Sequence, residues 1–186
     1  MSGEARKPGL APLLDRGGSE QGRLDVNALH IVRADLTDPR HQAAVLAMTR
    51  AYAQDPMGNG RDLPEDIRRS LVAGLRAHPT TLIFLALQQD EAVGIATCFI
   101  GFSTFAARPL VNIHDLHVAR DHQRKGIARR LLEAVEAEAR KLGCCKLTLE
   151  VQENNRTALA LYGSFGFVGR QYEPEAGAVL LREKTL

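Results

Sequence analysis

The segment at residues 125–142 constrains the fold most, because it is the clearest helix in the sequence. Its apolar side chains recur at helical spacing and form a single stripe, made of Ile127, Leu131, Val135, Ala139 and Leu142. Apolar runs rich in β-branched residues lie on either side, at residues 110–118 and 146–151, and such runs are typical of strands. The segment therefore predicts an α/β domain with a central sheet.

The remaining elements follow from the same periodicities. Asp38 and Pro39 predict the start of a first helix, as its N-cap and first-turn residues, and Pro64 predicts the start of a second helix. Further strands are predicted at residues 28–34, 80–87 and 92–102, the last two as an antiparallel hairpin, then a helix at residues 155–165 and two short final strands. The domain is thus expected over residues 28–186. Residues 1–27 lack an apolar period and predict a flexible N-terminal tail.

The composition excludes several classes of protein. With 186 residues, of which 45% are hydrophobic and 25% charged, the chain matches one globular domain. Its net charge of +2 is too small for a dedicated nucleic-acid binder. The longest uncharged run near its middle, residues 92–107, is shorter than the ~20 apolar residues that span a bilayer. Three cysteines (Cys98, Cys144 and Cys145) form no disulfide framework, so we expect a cytoplasmic protein without nucleic-acid or membrane partners.

A glycine stands at the start of the best helix, in the segment from Gln123 to Ala128. The first N–H groups of a helix have no internal partner and favour an anion, and Gly126 lets a phosphate approach the main chain closely. Positive charge is expected around the same point from Arg124, Lys125, Arg129 and Arg130. The segment predicts a phosphate site. The alternative is an ordinary glycine-containing helix entry with a solvated basic face.

A second constellation lies in the predicted helix at residues 155–165. Asn155, Ala158 and Tyr162 are spaced i, i+3 and i+7, which places them within about 60° of one another around a helix. One helix face thus offers an amide, a small residue and a phenol. The alternative is an N-cap Asn155 followed by core packing of Tyr162.

Together the two segments resemble the GNAT superfamily of acetyl-CoA-dependent N-acetyltransferases. The first matches its pyrophosphate loop at Gln123, Gly126 and Ala128. The second matches its other signature at Asn155, Ala158, Leu161, Tyr162, Gly166 and Phe167. The resemblance implies a mixed, largely antiparallel central sheet with a bulged strand and flanking helices. It also implies acetyl-CoA as co-substrate, held by Leu116, Val118, Gln123, Arg124, Lys125, Gly126, Ile127, Ala128, Asn155, Ala158 and Tyr162.

The strand before the loop changes phase. Up to Ile113 the odd positions are apolar, whereas from Asp115 onward the odd positions are polar and Leu116 and Val118 are apolar. A period of two that changes phase within a strand predicts a bulge. In GNAT proteins this strand splays from the next one, and the resemblance implies that main-chain groups of Leu116 and Val118 face the cofactor. The Val118 N–H would then polarise the thioester carbonyl.

The resemblance assigns Tyr162 as the acid that protonates the leaving thiolate. An ammonium acceptor, with a pKa of about 10.4, also needs a base. We expect His114 in that role through water, because an unperturbed histidine pKa of about 6.5 needs little tuning, with Asp115 positioning the amine. The alternative is a structural His114. A metal site formed with His117 and His122 is disfavoured, since residues 114 and 117 of a regular strand point to opposite faces.

The acceptor is predicted to be a small primary amine. The chain loosely resembles the diamine and polyamine acetyltransferases, but His114-Asp115 stands where those carry Glu-Asp, which weakens the case for a polycation. The alternatives are a protein lysine or N-terminus as acceptor, or a non-catalytic acyl-CoA-binding module. The resemblance also implies a possible homodimer.

Overall fold

The computed structural model describes residues 28–169 and Lys184. The elements, in chain order, are β1 (His30–Arg33), α1 (Pro39–Gln54), α2 (Glu65–Ala77), β2 (Thr81–Gln88), β3 (Glu91–Ser103), β4 (Arg108–Val118), a 3₁₀ turn (Arg120–His122), α3 (Ile127–Lys141), β5 (Leu147–Leu149) and α4 (Arg156–Phe165). The predicted order is confirmed over this range, with boundaries that differ by a few residues. The predicted tail at residues 1–27 and the two final strands lie outside the described residues.

The strands form one sheet in the order β1-β2-β3-β4-β5. The first four strands pair antiparallel with their neighbours, and β5 pairs parallel with β4. Helix α3 supplies the crossover that a parallel pair requires. The sheet is therefore mixed and largely antiparallel, as expected, and none of the described helices is long and apolar enough to cross a bilayer.

Local signals set several boundaries. The Asp38 side chain accepts a hydrogen bond from the Arg40 N–H at 2.8 Å and caps α1. The hairpin between β2 and β3 turns at Gln89 and Asp90, whose φ angles of 52° and 63° are those of a two-residue turn matched to strand twist. Gly143, with φ of 69°, follows the end of α3, where the left-handed conformation favours glycine.

Helices cover both faces of the sheet. On one, the α3 face, Leu131, Leu132 and Val135 are fully buried against β2, β3 and β4. On the other, the α1 face, Val45 and Met48 pack on a second cluster formed by Ile83, Leu85 and Ile95. Helix α2 has no buried residue. Of its predicted apolar face, Ile67 is 42% exposed, since α2 lies at the margin of this cluster.

Strand β4 contains the predicted bulge. Thr97 of β3 pairs with Asp115, but the adjacent Cys98 pairs with Ile113, so His114 is the extra residue. Because the bulge shifts the side-chain alternation by one, Leu116 and Val118 continue on the α3 face with Ile113. Asp115 and His117 consequently belong to the α1 face.

The bulge also marks where β4 and β5 part. The pairing of β5 with β4 covers only Val111, Asn112 and Ile113. Beyond it, residues 115–118 pair with β3 alone within the described part of the chain. We call the resulting gap, between residues 114–118 and the end of β5 at Leu149, the β4–β5 opening.

Candidate functional site

The main chain of Leu116 and Val118 faces the β4–β5 opening. The Ala119 N–H donates to the Val93 carbonyl at 2.9 Å, and alternate residues of an antiparallel strand turn their backbone groups toward the same neighbour. Residues 115 and 117 therefore bond toward β3, whereas 116 and 118 turn away from it. Consistently, the Val118 carbonyl accepts a hydrogen bond from Gln123 Nε2 at 3.1 Å. This leaves the Val118 N–H directed into the opening.

The entry of α3 lies next to this opening. Gly126 precedes the helix with φ of 80°, and no side chain caps the helix start. A Cβ placed on Gly126 would meet nothing within 4 Å, so the main chain there is open to an approaching group. Arg124 also has a left-handed φ, of 61°. Unpartnered N–H groups beside left-handed residues favour anions, and this geometry suits a pyrophosphate.

Two of the four basic residues expected around the α3 entry form hydrogen bonds with other parts of the chain. Arg129 donates to Ser164 Oγ at 2.7 Å and lies over the Phe165 ring, which joins α3 to α4. Arg130 donates to the Leu29 carbonyl at 2.9 Å, ahead of β1. Both guanidinium groups are therefore held by uncharged partners on other parts of the chain, and their contribution to the charge at the helix entry stays a prediction.

The other residues of the segment from Gln123 to Ala128 differ in whether their side chains or only their main chain can contact a ligand. Arg124 and Lys125 are exposed at the α3 entry and are left to supply its positive charge. The Gln123 side chain is turned back to β4, so it positions the loop and offers only its main chain to a ligand. Ile127 is buried in the core, and Ala128 packs against that core, so these two also contribute only main-chain groups.

Helix α4 carries the second predicted constellation. Asn155 is its N-cap, and its Oδ1 accepts from the Ala158 N–H at 3.1 Å, so the N-cap interpretation holds and the amide Nδ2 stays available. Tyr162 packs against the core on the α3 face, with its ring 5.7 Å from that of Phe167. Burial, and then the charge of Tyr52, raise the pKa of Tyr162 to about 12. The phenol is thus a neutral proton donor at physiological pH.

His114 and Asp115 lie together at the bulge. The His114 ring is exposed and meets the Phe99 ring edge-on at 5.5 Å, which places it on the α1 face. Asp115 is half-buried, and burial raises the pKa of its carboxyl, an effect opposed by His114. The two residues therefore share one side of the strand, since a bulge turns both of its residues the same way.

The sequence interpretation considered His117 only as a disfavoured metal ligand and did not include Tyr52 among the site residues. His117 is 8% exposed, and its ring lies 5.5 Å from the Tyr52 ring at the end of α1. Burial lowers the pKa of His117, opposed by the charge of Asp55. Burial raises the pKa of Tyr52, helped by Asp115 and Asp55. A shared strand face with Asp115 was the available signal for His117, whereas nothing in the sequence pointed to Tyr52.

The histidines do not form a metal centre in the described part of the chain. No group of three side chains from His, Cys, Asp or Glu is placed to hold an ion there. His114 and His117 belong to different surroundings, one exposed beside Phe99 and the other buried beside Tyr52.

Comparison with known proteins adds an independent finding. The sequence model of the Acetyltransferase (GNAT) family matches residues 45–167. Over 87 residues, 47% of this chain, the sequence is 33% identical to the N-alpha-acetyltransferase MAK3 of Arabidopsis thaliana. Over 66 residues, 33% of this chain, it is 41% identical to the ribosomal protein bS18-alanine N-acetyltransferase of Escherichia coli strain K12. In both cases the match spans 45% of the relative, about half its length.

The fold is similar to solved acetyltransferase structures. One is an aminoglycoside acetyltransferase from an uncultured soil metagenomic sample, which superposes with a TM-score of 0.69 at 22% identity. The superposition covers 85% of this chain and 96% of that one. At such an identity the likeness concerns the fold alone.

Proposed function

Because this chain belongs to the GNAT acetyltransferase family, we propose that it transfers an acetyl group from acetyl-CoA to a primary amine. The β4–β5 opening carries the proposal, since it leaves the Val118 N–H without a strand partner among the described residues and next to an uncapped helix start, and the half-buried Tyr162 packs against the apolar cluster that contains Val118. GNAT acetyltransferases use acetyl-CoA, and the residues around the opening fit it. The free space at Gly126 suits a pyrophosphate, and the edge of β4 suits an extended pantetheine arm.

The residues divide the binding between them. The N–H groups from Gly126 to Ala128, with Arg124 and Lys125, would hold the pyrophosphate. The main chain of Leu116 and Val118 would pair with the pantetheine arm, and Asn155 and Ala158 would border it from α4. Acetyl-CoA supplies an activated thioester, whose carbonyl the Val118 N–H would polarise.

The transfer also needs an acid and a base. Tyr162 is proposed as the acid that protonates the departing sulfur, because its phenol is half-buried and neutral. Asp115 is proposed to position the ammonium, since it is a half-buried carboxyl at the bulge. The base is proposed among the histidines of β4, with His114 as the residue expected from the sequence. Direct attack within a ternary complex requires no covalent bond to the protein.

The preferred acceptor is a small molecule with a primary amine. A peptide α-amine is the second candidate, because two relatives are named for N-alpha and ribosomal-protein alanine acetylation. A homodimer is a further expectation for this protein. We place the reaction in the cytoplasm, because Cys98, Cys144 and Cys145 are all unpaired, which suits a reducing compartment.

The test is thiol release from acetyl-CoA with a panel of small amines and of peptides with free N-termini. Turnover with a small amine and not with peptides is the expected result. Tyr162→Phe should lower turnover roughly 10²–10⁴-fold, the range for a lost acid, while acetyl-CoA affinity changes little because only a hydroxyl is removed. Turnover within a factor of a few of the wild type would make Tyr162 a core aromatic. Tight acetyl-CoA binding without any thiol release would instead favour a non-catalytic acyl-CoA-binding module.

A further inference from the structure

His117 is a buried titratable residue to which the mechanism expected from the sequence gives no role. It lies on β4, two residues beyond Asp115 and on the same α1 face of the sheet. Its neighbour across β3 is Ile95, and its ring contacts Tyr52 of α1 at 5.5 Å. The charge of Tyr52 contributes to raising the pKa of Tyr162, so Tyr52 is the residue that contacts the imidazole and also acts on the proposed acid.

The ring nitrogens of His117 are not fully enclosed, although the residue is buried. Within the described part of the chain, the enclosed polar side-chain atoms without a partner are Thr81 Oγ1 and His122 Nδ1. The nitrogens of His117 are not among them, and no described residue is hydrogen-bonded to them. The 8% of the residue that is exposed thus includes its nitrogens. A neutral imidazole held in this way can accept a proton from a group entering beside Tyr52.

We propose that His117 is the proton acceptor for the acceptor amine, with Tyr52 holding its ring and Asp55 stabilising the imidazolium. This role rests on the proposed acetyl transfer. The ammonium gives one proton to His117, and the free amine then attacks the thioester carbon. The C–N bond forms and the C–S bond breaks, with the thiolate taking the proton of Tyr162. The new amide nitrogen loses its extra proton to the Tyr162 phenolate, and His117 later releases its proton to solvent.

His114 suits this role less well than His117. Its ring is exposed and rests on Phe99, which rests in turn on His78 with ring centroids 5.1 Å apart. This row of rings leads along the sheet, away from Tyr52. A base must be within hydrogen-bond reach of the proton it takes, directly or through one water, and the contact with Tyr52 orients the His117 ring. His117 therefore takes the role of the base, which the sequence had assigned to His114.

The charged and titratable groups around His117 determine how its pKa should respond to substitutions. Asp55, after the end of α1, attracts the imidazolium and raises the pKa of His117 against the effect of burial. The charge of Asp115 raises the pKa of Tyr52, whose ring contacts His117, and the charge of Tyr52 raises the pKa of Tyr162. The β3 neighbours Ile95 and Thr97 carry no charge. Removal of the Asp55 charge should therefore lower the pKa of His117.

The experiment compares pH profiles of kcat/KM for the wild type and for His117→Gln, His114→Gln and Asp55→Asn. The best amine of the panel is used, from about pH 5 to about pH 9, a range that brackets the unperturbed histidine pKa. His30→Gln is the matched control, because His30 is exposed on β1 at the far side of the sheet. Asp55→Asn keeps an oxygen for the Met57 N–H, which Asp55 Oδ1 accepts at 2.8 Å, so the loop geometry is preserved.

We expect His117→Gln to remove the acidic limb and to lower kcat/KM roughly 10²–10⁴-fold, and His114→Gln and His30→Gln to keep the limb. Asp55→Asn should shift its midpoint to lower pH, and NMR titration of the His117 imidazole should shift in the same direction. A folded His117→Gln variant with the wild-type limb would overturn this role and leave acetyl transfer standing. An unshifted imidazole titration in Asp55→Asn would overturn it too. No turnover by the wild type with any acceptor would overturn the proposed function and this role together.

Discussion

At the scale of the residue, Asp115 is a position whose burial bears on the stability of the fold. It is a half-buried carboxyl at a bulge, and burial raises its pKa. A carboxyl whose pKa is higher in the folded state binds more protons there than in the unfolded chain. Its contribution to stability is then fully present below the unfolded pKa and is lost as the pH rises through the folded value. At neutral pH the charged Asp115 is therefore a net cost to the fold.

Asp115→Asn is accordingly expected to raise the free energy of unfolding at pH 7, since an amide of the same shape carries no charge into the protein. Urea denaturation at pH 7 and at about pH 4, near the ordinary aspartate pKa, measures the effect. The gain should shrink at the lower pH, because the raised pKa of the wild-type carboxyl favours its protonation there. Asp121→Asn, at an exposed position in the 3₁₀ turn, is the control and should show no such pH dependence. A destabilised Asp115→Asn variant at pH 7 would contradict this account.

At the scale of the element, α3 has a left-handed glycine before its start and another after its end. Gly126 has φ of 80° and Gly143 has φ of 69°, and a Cβ at either would meet nothing within 4 Å. Both positions thus require a left-handed backbone conformation, but they lie at opposite ends of the helix. One lies beside the β4–β5 opening and the other at the opposite end of the helix. This makes them a matched pair for the proposed pyrophosphate site.

Alanine at either glycine should cost about 1–2 kcal/mol of stability, the penalty for a left-handed residue with a Cβ. Only Gly126→Ala should weaken acetyl-CoA binding, by roughly tenfold or more, since each charge-assisted hydrogen bond contributes about 1.5–3 kcal/mol. Calorimetric titration with acetyl-CoA measures the affinity and thermal unfolding measures the stability. Equal acetyl-CoA affinities of the two variants would contradict the proposed pyrophosphate site at the α3 entry.

For the whole molecule, burial is distributed unevenly over the two faces of the sheet. Helix α3 buries Ile127, Leu131, Leu132, Val135 and Ala139, whereas α2 buries no residue. Helix α2 packs only the half-buried Leu75 against the second cluster and also forms surface ion pairs, among them Arg68 with Asp62 and with Glu65. Exposed ion pairs contribute little, about 0–1 kcal/mol. The two helices should therefore open at different free energies.

Native-state hydrogen exchange should show this difference directly. Amides of α2 are expected to exchange by local opening, roughly 10–100-fold or more faster than those of α3. This follows because burial of even one large apolar side chain contributes about 1.5–3 kcal/mol. Moderate salt should speed the exchange of α2 further by screening its ion pairs and should leave α3 unchanged. Equal protection of α2 and α3 would mean that the molecule opens as one unit.

The sequence by itself determined what depends on neighbours along the chain. The change of phase around Ile113 and Asp115 located the bulge, because side chains of a strand alternate strictly. Asp38 set a helix start and Gly143 a helix end, because caps act within one turn. The two short motifs around Gly126 and Tyr162 pointed to the family, since spacing along a loop or helix fixes which groups can meet one ligand.

Only the tertiary structure decided which distant residues meet. It paired Arg129 with Ser164 of α4 and Arg130 with Leu29 before β1, two partners far away in the sequence. It brought Tyr52 from α1 against His117 of β4. No period along the chain encodes such contacts, because they depend on how a helix and a strand far apart in sequence pack across the sheet. Burial, which sets the pKa of Tyr162 and of His117, is a property of that packing.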